Sequence, residues 1–407
     1  MNLFILFDHF LVSGSRFLLS ILIARALGFE NFGTYSLIWT ILTLATAMQV
    51  PIVITPMMQL GPSISEHRKD AFFATAVFVQ FVSSIITLTF VNLVLVLILW
   101  ERKDVIDIIF AVNAYVLVYN QYEFFRRYFF TTCQLSKALV FDVMLYTVLL
   151  LTMYGFLRLG DVTIAAYLFL SCLPAVLICF FILYNYHFAM RAITFHKLQI
   201  RRMWKIAHPL INSTISAFIS GYAFVYSTAF FLGSENVGGI AAARNVLGPL
   251  MVSLMALENS MTREAVLLNK VSYMQLLSYV KKERLKWVII FFLYVLIVSM
   301  FAKPLLEWAY GPEFGQFYIL VYWIGLASIP QVISRIQAVK LRTAGNYTAI
   351  KTANIRTMFI ACVVSPPLVY LFGLNGAGLS FLISTSFVMI FQFLDDPDNI
   401  NMFWHRG

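Results

Sequence analysis

The chain alternates between long apolar stretches and short polar connections along its whole length. A helix needs about 20 apolar residues to cross a hydrocarbon core of about 30 Å. Runs of this length are helical, because only helices and closed barrels satisfy every backbone hydrogen bond in lipid. The pattern therefore predicts an all-α polytopic membrane protein with about twelve transmembrane helices. The predicted spans are 3–27, 35–59, 71–99, 106–129, 138–157, 163–186, 206–232, 237–259, 287–309, 316–339, 352–372 and 375–394.

Composition leaves little room for a soluble domain. Hydrophobic residues make up 61% of the 407, charged residues only 12%, and the mean hydropathy is +0.83. Soluble domains carry about 25% charged residues. We interpret MNLFILFDHF as the start of the first span rather than a cleaved signal, because it lacks a basic start and a small-residue cleavage site. The four cysteines have no paired spacing, so we predict no metal site and no cofactor.

Basic residues fall mostly on one side of the predicted spans. Of the 29 Lys and Arg residues, 21 lie in connections that alternate onto the side of the N-terminus, four lie in the opposite connections, and four lie within spans. Basic residues concentrate in cytoplasmic loops, so both termini are predicted to be cytoplasmic. The net charge of +10 is then a topology signal, and we expect no nucleic-acid partner.

The sequence of one turn occurs twice, about half a chain apart. Residues 27–35 read LGFENFGTY and residues 232–240 read LGSENVGGI. The glycine suits a left-handed helix C-cap and the glutamate suits the start of the next helix. Each copy joins the first two helices of a six-helix half, which predicts two parallel repeats around a central cavity, with Pro51 and Pro249 as matching hinges. The predicted divisions are 1–190, a bundle; 191–205, a cytoplasmic linker; 206–394, a second bundle; and 395–407, a tail.

Four arginines fall inside predicted spans, where an ionisable side chain is costly and by default marks a functional site. Arg16 shares one helix face with Ser13 and Ser20, so we expect it to line the cavity. Arg25 lies about 180° round the same helix and alternatively anchors it at the outer interface. Arg335 is near the cytoplasmic side, where snorkelling is the alternative. The candidate substrate-binding residues are Arg16, Arg25, Arg244, Asn245 and Arg335.

Carboxylates within the spans form a second group of candidates. Glu123 precedes Arg126 and Arg127 by three and four residues, the spacing of ion pairs on one helix. Asp142 is placed to pair with a neighbouring arginine. Two roles stay open for this group, ion coupling and internal pairing. Its members are Asp8, Glu123, Arg126 and Asp142.

The buried cations outnumber the buried anions, which favours an anionic substrate. Guanidinium groups bind phosphate oxygens bidentately, so a phosphate-containing molecule suits them. No enzyme motif competes with this interpretation: the chain has no phosphate-binding glycine loop and no HExxH. We therefore predict a transporter rather than an enzyme.

Three stretches carry a family resemblance: SRFLLSILIARALGFENFGTYSLIWTI, FLGSENVGGIAAARNVLGPL and YGPEFGQFYILVYWIG. They are similar to the polysaccharide-exporter branch, the Wzx-type O-antigen or capsule-unit flippases, of the multidrug/oligosaccharidyl-lipid/polysaccharide (MOP) flippase superfamily. The resemblance implies a bacterial inner-membrane protein that moves undecaprenyl-pyrophosphate-linked oligosaccharide to the outer leaflet by alternating access. Arg25 and Arg244 match positions where family members carry arginine. The acidic residue that members often have in the seventh helix is missing from YSTAFF (226–231), which leaves ion coupling through this helix open.

Two other functions stay open at this point. A drug or metabolite exporter of the same superfamily would use Asp8, Glu123 and Asp142 for cation exchange. A membrane polysaccharide polymerase or ligase would need a sizeable outer loop, and the longest predicted outer connection, near 309–316, has only a few residues. For the flippase, the partners we predict are the lipid-linked oligosaccharide, membrane lipid, and a polysaccharide polymerase with its chain-length regulator.

Overall fold

The structure is a computed structural model that describes residues 3–61, 64–100, 102–159, 162–186 and 197–396. Within these ranges the chain is helical, with no strand. The helices are α1 (Leu3–Gln49), α2 (Thr55–Leu60), α3 (Glu66–Leu99), α4 (Val105–Thr131), α5 (Leu135–Leu159), α6 (Ile164–Tyr186), α7 (Lys197–Leu232), α8 (Ser234–Val246), α9 (Gly248–Val271), α10 (Tyr273–Met300), α11 (Ala302–Tyr310), α12 (Tyr318–Thr343) and α13 (Tyr347–Leu394).

Breaks at glycine and proline divide these helices into membrane-length pieces. Eight helices of the described chain are long and apolar enough to cross a membrane, and ten spans result when each of two bent pairs is counted as one. The two longest, Leu11–Leu60 with 50 residues and α13 with 48, would extend over 70 Å, about twice the hydrocarbon core. Each is interrupted by a glycine with positive φ, Gly28 (φ 73°) and Gly373 (φ 56°). Dividing both gives the predicted twelve spans and confirms the all-α polytopic fold.

Two helices begin before the spans predicted for them. The ninth span was expected to begin at 287, but α10 begins at Tyr273, and a 69° bend separates it from α11. The seventh was expected to begin at 206, but α7 begins at Lys197. α7 begins with the basic stretch 197–205, and α10 carries a charged stretch at 281–286; hydropathy assigns both stretches to connections. Hydropathy finds the part of a helix that suits lipid, and a helix can continue beyond it.

Both predicted hinge prolines lie at irregularities. Pro51 is the second residue of a π-helical segment, Val50–Ile54, between α1 and α2. Pro249 is the second residue of α9, next to the 55° bend between α8 and α9. Proline lacks the N–H that would continue an α-helical hydrogen-bond ladder, which accounts for both positions. Their role as hinges stays a prediction.

The duplicated turn has the same backbone in both copies. Gly28 has φ 73° and ψ 173°, and Gly233 has φ 92° and ψ 164°. The positive φ is as predicted, but ψ is extended rather than left-handed helical, a region accessible essentially to glycine alone. Asn236 Nδ2 donates a 2.6 Å hydrogen bond to the carbonyl oxygen of Leu232, which caps the preceding helix. Glu235 is exposed in the first turn of α8, where its charge suits the helix dipole.

We expect Gly28→Ala to lower the stability of the protein by about 1–3 kcal/mol. No neighbouring heavy atom lies within 4 Å of the added Cβ, so the backbone conformation is the only obstacle. The matched control is Gly155→Ala in α5, which also has open space but helical geometry, and should be neutral or stabilising. Thermal unfolding in detergent checks the pair; equal midpoints would contradict the prediction.

The described chain forms two compact units. The N-terminal unit contains the chain up to Asn31 and Ile38–Thr214, and the C-terminal unit contains Phe32–Leu37 and the chain from Ile215 on. A short piece of the first repeat thus packs with the second. The domain boundaries predicted from sequence stay a prediction, and part of the 191–205 linker and nearly all of the tail lie outside the described residues.

Within the C-terminal unit, the two copies of the duplicated turn touch. Gly33 and Gly238 occupy equivalent positions of the repeat, and a Cβ on Gly238 would lie 3.1 Å from Gly33 Cα. Phe32 is 1% exposed and packs on Tyr310 and Phe314, with ring centroids 5.9 and 5.7 Å away. The turn is repeated in sequence, and its two copies meet through glycines that allow the backbones to approach closely.

Candidate functional site

A guanidinium held by two tyrosines lies in the N-terminal unit. Arg16 Nε donates to Tyr146 Oη and Arg16 Nη2 to Tyr119 Oη, both at 2.9 Å. The two hydroxyls lie 3.3 Å apart, so they hold one edge of the guanidinium. Arg16 is exposed, whereas Tyr146 is buried. Two of the five N–H groups are used in this way, and the remaining donors suit an anion.

The carboxylates next to this arginine are paired with other cations. Glu123 Oε1 lies 2.9 Å from Arg127 Nε and 3.5 Å from Arg126 Nη1, at the i+4 and i+3 positions. Asp142, 1% exposed, accepts from Arg126 Nε at 2.6 Å and from the hydroxyl of Tyr122. Three guanidiniums, those of Arg16, Arg126 and Arg127, lie near two carboxylates, so this cluster of described residues has an excess of one positive charge.

The remaining N-terminal candidates are Arg25 and Asp8. Arg25 is exposed on α1, nine residues beyond Arg16 and on the opposite helix face. Asp8 belongs to α1, but its side chain lies outside the described residues. The structure brings Arg16, Glu123, Arg126 and Asp142 close together, and their functional roles stay predictions.

Arg244 occupies an aromatic cage in the C-terminal unit. Its guanidinium carbon lies 4.8 Å from the ring centroid of Tyr222, 5.1 Å from Phe224 and 5.2 Å from Phe381. Arg244 Nη2 donates to the carbonyl oxygen of Gly221 at 3.1 Å. Aromatic faces attract a cation when it is partly desolvated, and here they take the place of a carboxylate. Asn245, the neighbouring candidate, is half-buried.

A cavity of about 180 Å³ with a mixed polar and apolar lining lies in the same unit, between α7, α12 and α13. Gly221 and Phe381, which contact Arg244, are among its lining residues. Two guanidiniums of α12 line it as well, Arg335 and Arg342, and both contact Glu258 of α9.

Sequence reasoning named Arg335 but missed Arg342 and Glu258. Arg342 was assigned to a cytoplasmic connection because it follows the apolar part of α12. The spacing of Gln331, Ser334, Arg335, Ala338 and Arg342 along one helix face would have shown that they line the same site.

An ion pair in the connection between α3 and α4 contacts the first copy of the duplicated turn. Arg102 donates to both carboxylate oxygens of Asp104, at 2.8 and 3.0 Å, and to Asn31 Oδ1 at 3.5 Å. These bonds lower the pKa of Asp104 and raise the pKa of Arg102. The pair therefore stabilises the fold above the pKa of an unfolded aspartate, about 3.9, and this contribution disappears as pH falls through the folded pKa.

The described residues hold no group of three or more His, Cys, Asp or Glu side chains arranged to bind a metal ion.

Solved structures share this fold at low sequence identity. An inward-facing multidrug resistance MATE transporter of the MOP superfamily has a TM-score of 0.66 and 13% identity, over 95% of this chain and 93% of that chain. A MOP superfamily transporter from Pyrococcus furiosus, described as having a binding pocket of reverse polarity, has a TM-score of 0.66 and 11% identity, over 96% and 93%. The lipid II flippase MurJ in an inward closed conformation has a TM-score of 0.67 and 11% identity, over 97% and 86%.

No protein-family model matches the chain, and no curated protein matches it significantly. The structural likeness extends over nearly the whole chain, and the helices are long and apolar enough for a multi-pass membrane protein. The chain is therefore a polytopic membrane protein with the fold of the MOP-superfamily transporters.

Proposed function

We propose that the protein is a flippase that translocates undecaprenyl-pyrophosphate-linked oligosaccharide across the bacterial inner membrane. The observation that carries the proposal is the exposed guanidinium of Arg16, which is held by Tyr119 and Tyr146. The neighbouring carboxylate of Glu123 is paired with Arg127. A pyrophosphate is the part of a lipid-linked sugar that such a group binds best, because its oxygens accept bidentate hydrogen bonds. Arg16 is then a contact for the charged headgroup.

Physical chemistry divides the task between protein and bilayer. Transfer of the pyrophosphate and sugars into hydrocarbon costs free energy, whereas the polyprenyl chain is soluble there. A protein that encloses only the polar headgroup removes the main barrier, and alternating access of two six-helix repeats achieves this. In this proposal Pro51 and Pro249 are the hinges, both termini are cytoplasmic, and a surface-polysaccharide polymerase with its chain-length regulator uses the product.

The similarity to MurJ supports a lipid-linked substrate, since that protein flips lipid II. The similarity to multidrug MATE transporters makes a drug or metabolite exporter the second candidate. A cation-exchanging exporter needs a membrane carboxylate available for the ion. In the described chain Glu123 and Asp142 are both paired with arginines, which favours the flippase.

Deletion of the gene and reconstitution of the purified protein test the proposal. The deletion should remove surface glycan and accumulate lipid-linked units in the inner leaflet, and proteoliposomes should move a polyprenyl-diphosphate sugar across the bilayer. Normal surface glycan combined with new drug sensitivity would assign the exporter function instead.

A further inference from the structure

We propose that the cavity of the C-terminal unit is a binding site for a phosphate or diphosphate group, and that Glu258 occupies its two arginines while the site is empty. This inference rests on the proposed flippase function and goes beyond it, because it adds a second anion-binding group, in the C-terminal unit, to Arg16 of the N-terminal unit. An arriving anion displaces the Glu258 carboxylate from Arg335 and Arg342, and the carboxylate returns when the anion leaves.

The two guanidiniums share one carboxylate. Arg335 and Arg342 are seven residues apart on α12, two helical turns on the same face. Arg335 Nη1 lies 3.4 Å from Glu258 Oε2, and Arg342 Nη1 donates to Glu258 Oε1. Each oxygen of the carboxylate therefore contacts one arginine, so Glu258 bridges the two guanidiniums. A diphosphate has more oxygens and can bridge them in the same way.

Charge and exposure favour an anion as a ligand of the two arginines. The side chains of Arg335 and Arg342 are 49% and 38% exposed and line the cavity, whereas Glu258 is 18% exposed and does not line it. Two guanidiniums with one carboxylate leave a surplus positive charge and most of their N–H groups for a ligand. Among the described residues that line the cavity there is no Asp or Glu. A doubly charged anion therefore satisfies both arginines better than Glu258 does.

The rest of the lining suits a small, polar group. Ser334 Oγ donates to Gln392 Oε1 at 3.0 Å, and Gln331 Oε1 is buried without a hydrogen-bond partner. Neutral side chains from α13, Ser384 and Thr385, add further polar groups. The volume of about 180 Å³ is enough for a phosphate or diphosphate group. The cavity accordingly suits the charged group of a larger substrate.

The inference is tested by removing the charge of Glu258 and, separately, that of each arginine, which should change the affinity for diphosphate in opposite directions. Binding of inorganic diphosphate to the purified full-length protein in nanodiscs is measured by calorimetry. We expect Glu258→Gln to tighten binding by about tenfold, because two guanidiniums lose their competitor. Arg335→Gln and Arg342→Gln should each weaken it by about tenfold. The matched control is Glu283→Gln, a carboxylate on α10 that contacts Lys286 at 3.4 Å, which should leave binding unchanged.

A purely structural ion pair predicts a different result. If Glu258 only holds the helices together, Glu258→Gln weakens binding in parallel with the arginine variants, and the proposal is overturned. Unchanged binding in both Arg335→Gln and Arg342→Gln would overturn it as well. Each variant removes one guanidinium and keeps the other. A second arm uses polyprenyl diphosphate in the same nanodiscs: equal affinity for both ligands assigns the site to the phosphate groups alone.

The flipping assay separates this inference from the proposed function. Diphosphate binding with the expected signs but no movement of lipid-linked sugar would support the anion site and contradict the flippase. Normal flipping with no effect of Glu258→Gln on binding would support the flippase and overturn the exchange with Glu258.

Discussion

Replacing Gly33 with leucine is expected to abolish transport and to lower the stability of the protein by at least about 3 kcal/mol. A Cβ at this position would lie 2.7 Å from Glu235 Cα and still closer to the carbonyl of Ser234. Both obstacles are backbone atoms, so no side-chain rotation relieves the overlap. The two copies of the duplicated turn would have to separate, and Phe32 would lose its packing on Tyr310 and Phe314.

Thermal unfolding and the flipping assay check this expectation together. Gly155→Leu is the matched control, because its added Cβ would have no neighbour within 4 Å. The prediction fails if Gly33→Leu melts and transports like the wild type.

A reversible cross-link at the same contact should stop transport without unfolding the protein. Thr34 Oγ1 and Ser234 Oγ are 3.5 Å apart, close enough for a disulfide between cysteines at the two positions after small adjustments. Phe32–Leu37 is part of the first repeat in sequence but packs in the C-terminal unit. In the proposed alternating-access cycle this segment leaves its position, and a disulfide would prevent that.

The cross-link experiment starts from a variant in which the four native cysteines are replaced, so that only the new pair can react. Oxidised Thr34→Cys/Ser234→Cys protein should be inactive and should recover on reduction, while each single variant stays active. Full transport by the oxidised protein would show that the contact persists throughout the cycle.

The sequence predicted the helical fold and the duplicated turn because both depend on local patterns. Apolar runs locate the spans, and a glycine after leucine at the end of a run locates the break at Gly28 and Gly233. The contact between Gly33 and Gly238 depends on which helix faces meet. Equal spacing in two repeats indicates that these glycines are equivalent but not that they touch.

For the candidate sites, the sequence predicted the arginines but not their partners. An arginine within a span is visible in the sequence, and this located Arg16, Arg244 and Arg335. Their partners come from other helices: Tyr119 and Tyr146 are more than 100 residues from Arg16, and the cage of Arg244 includes Phe381. Glu258 lies at a place where the chain reads as the end of a span. Its contact with Arg342, 84 residues away, results from packing that no local pattern encodes.

Arg16→Ala should reduce flipping by about 10- to 100-fold while leaving the fold intact, because it removes charged hydrogen bonds to the substrate. Arg16→Lys keeps the charge but loses the planar fork, and we expect an intermediate rate. Tyr146→Phe leaves the charge and removes the 2.9 Å bond that holds Nε, so its effect isolates the positioning of the guanidinium.

The matched control for Arg16 is another arginine bound to a tyrosine. Arg158 Nη2 donates to Tyr154 Oη at 2.8 Å, and Arg158 is also exposed, but this pair lies on a single helix away from the paired carboxylates. Arg158→Ala should therefore flip at the wild-type rate. The rates are compared in proteoliposomes at equal protein density, with diphosphate binding measured alongside. If Arg16→Ala folds, binds and flips like Arg158→Ala, the substrate anion is not held by Arg16, because an excess cation in contact with a pyrophosphate cannot be removed without cost.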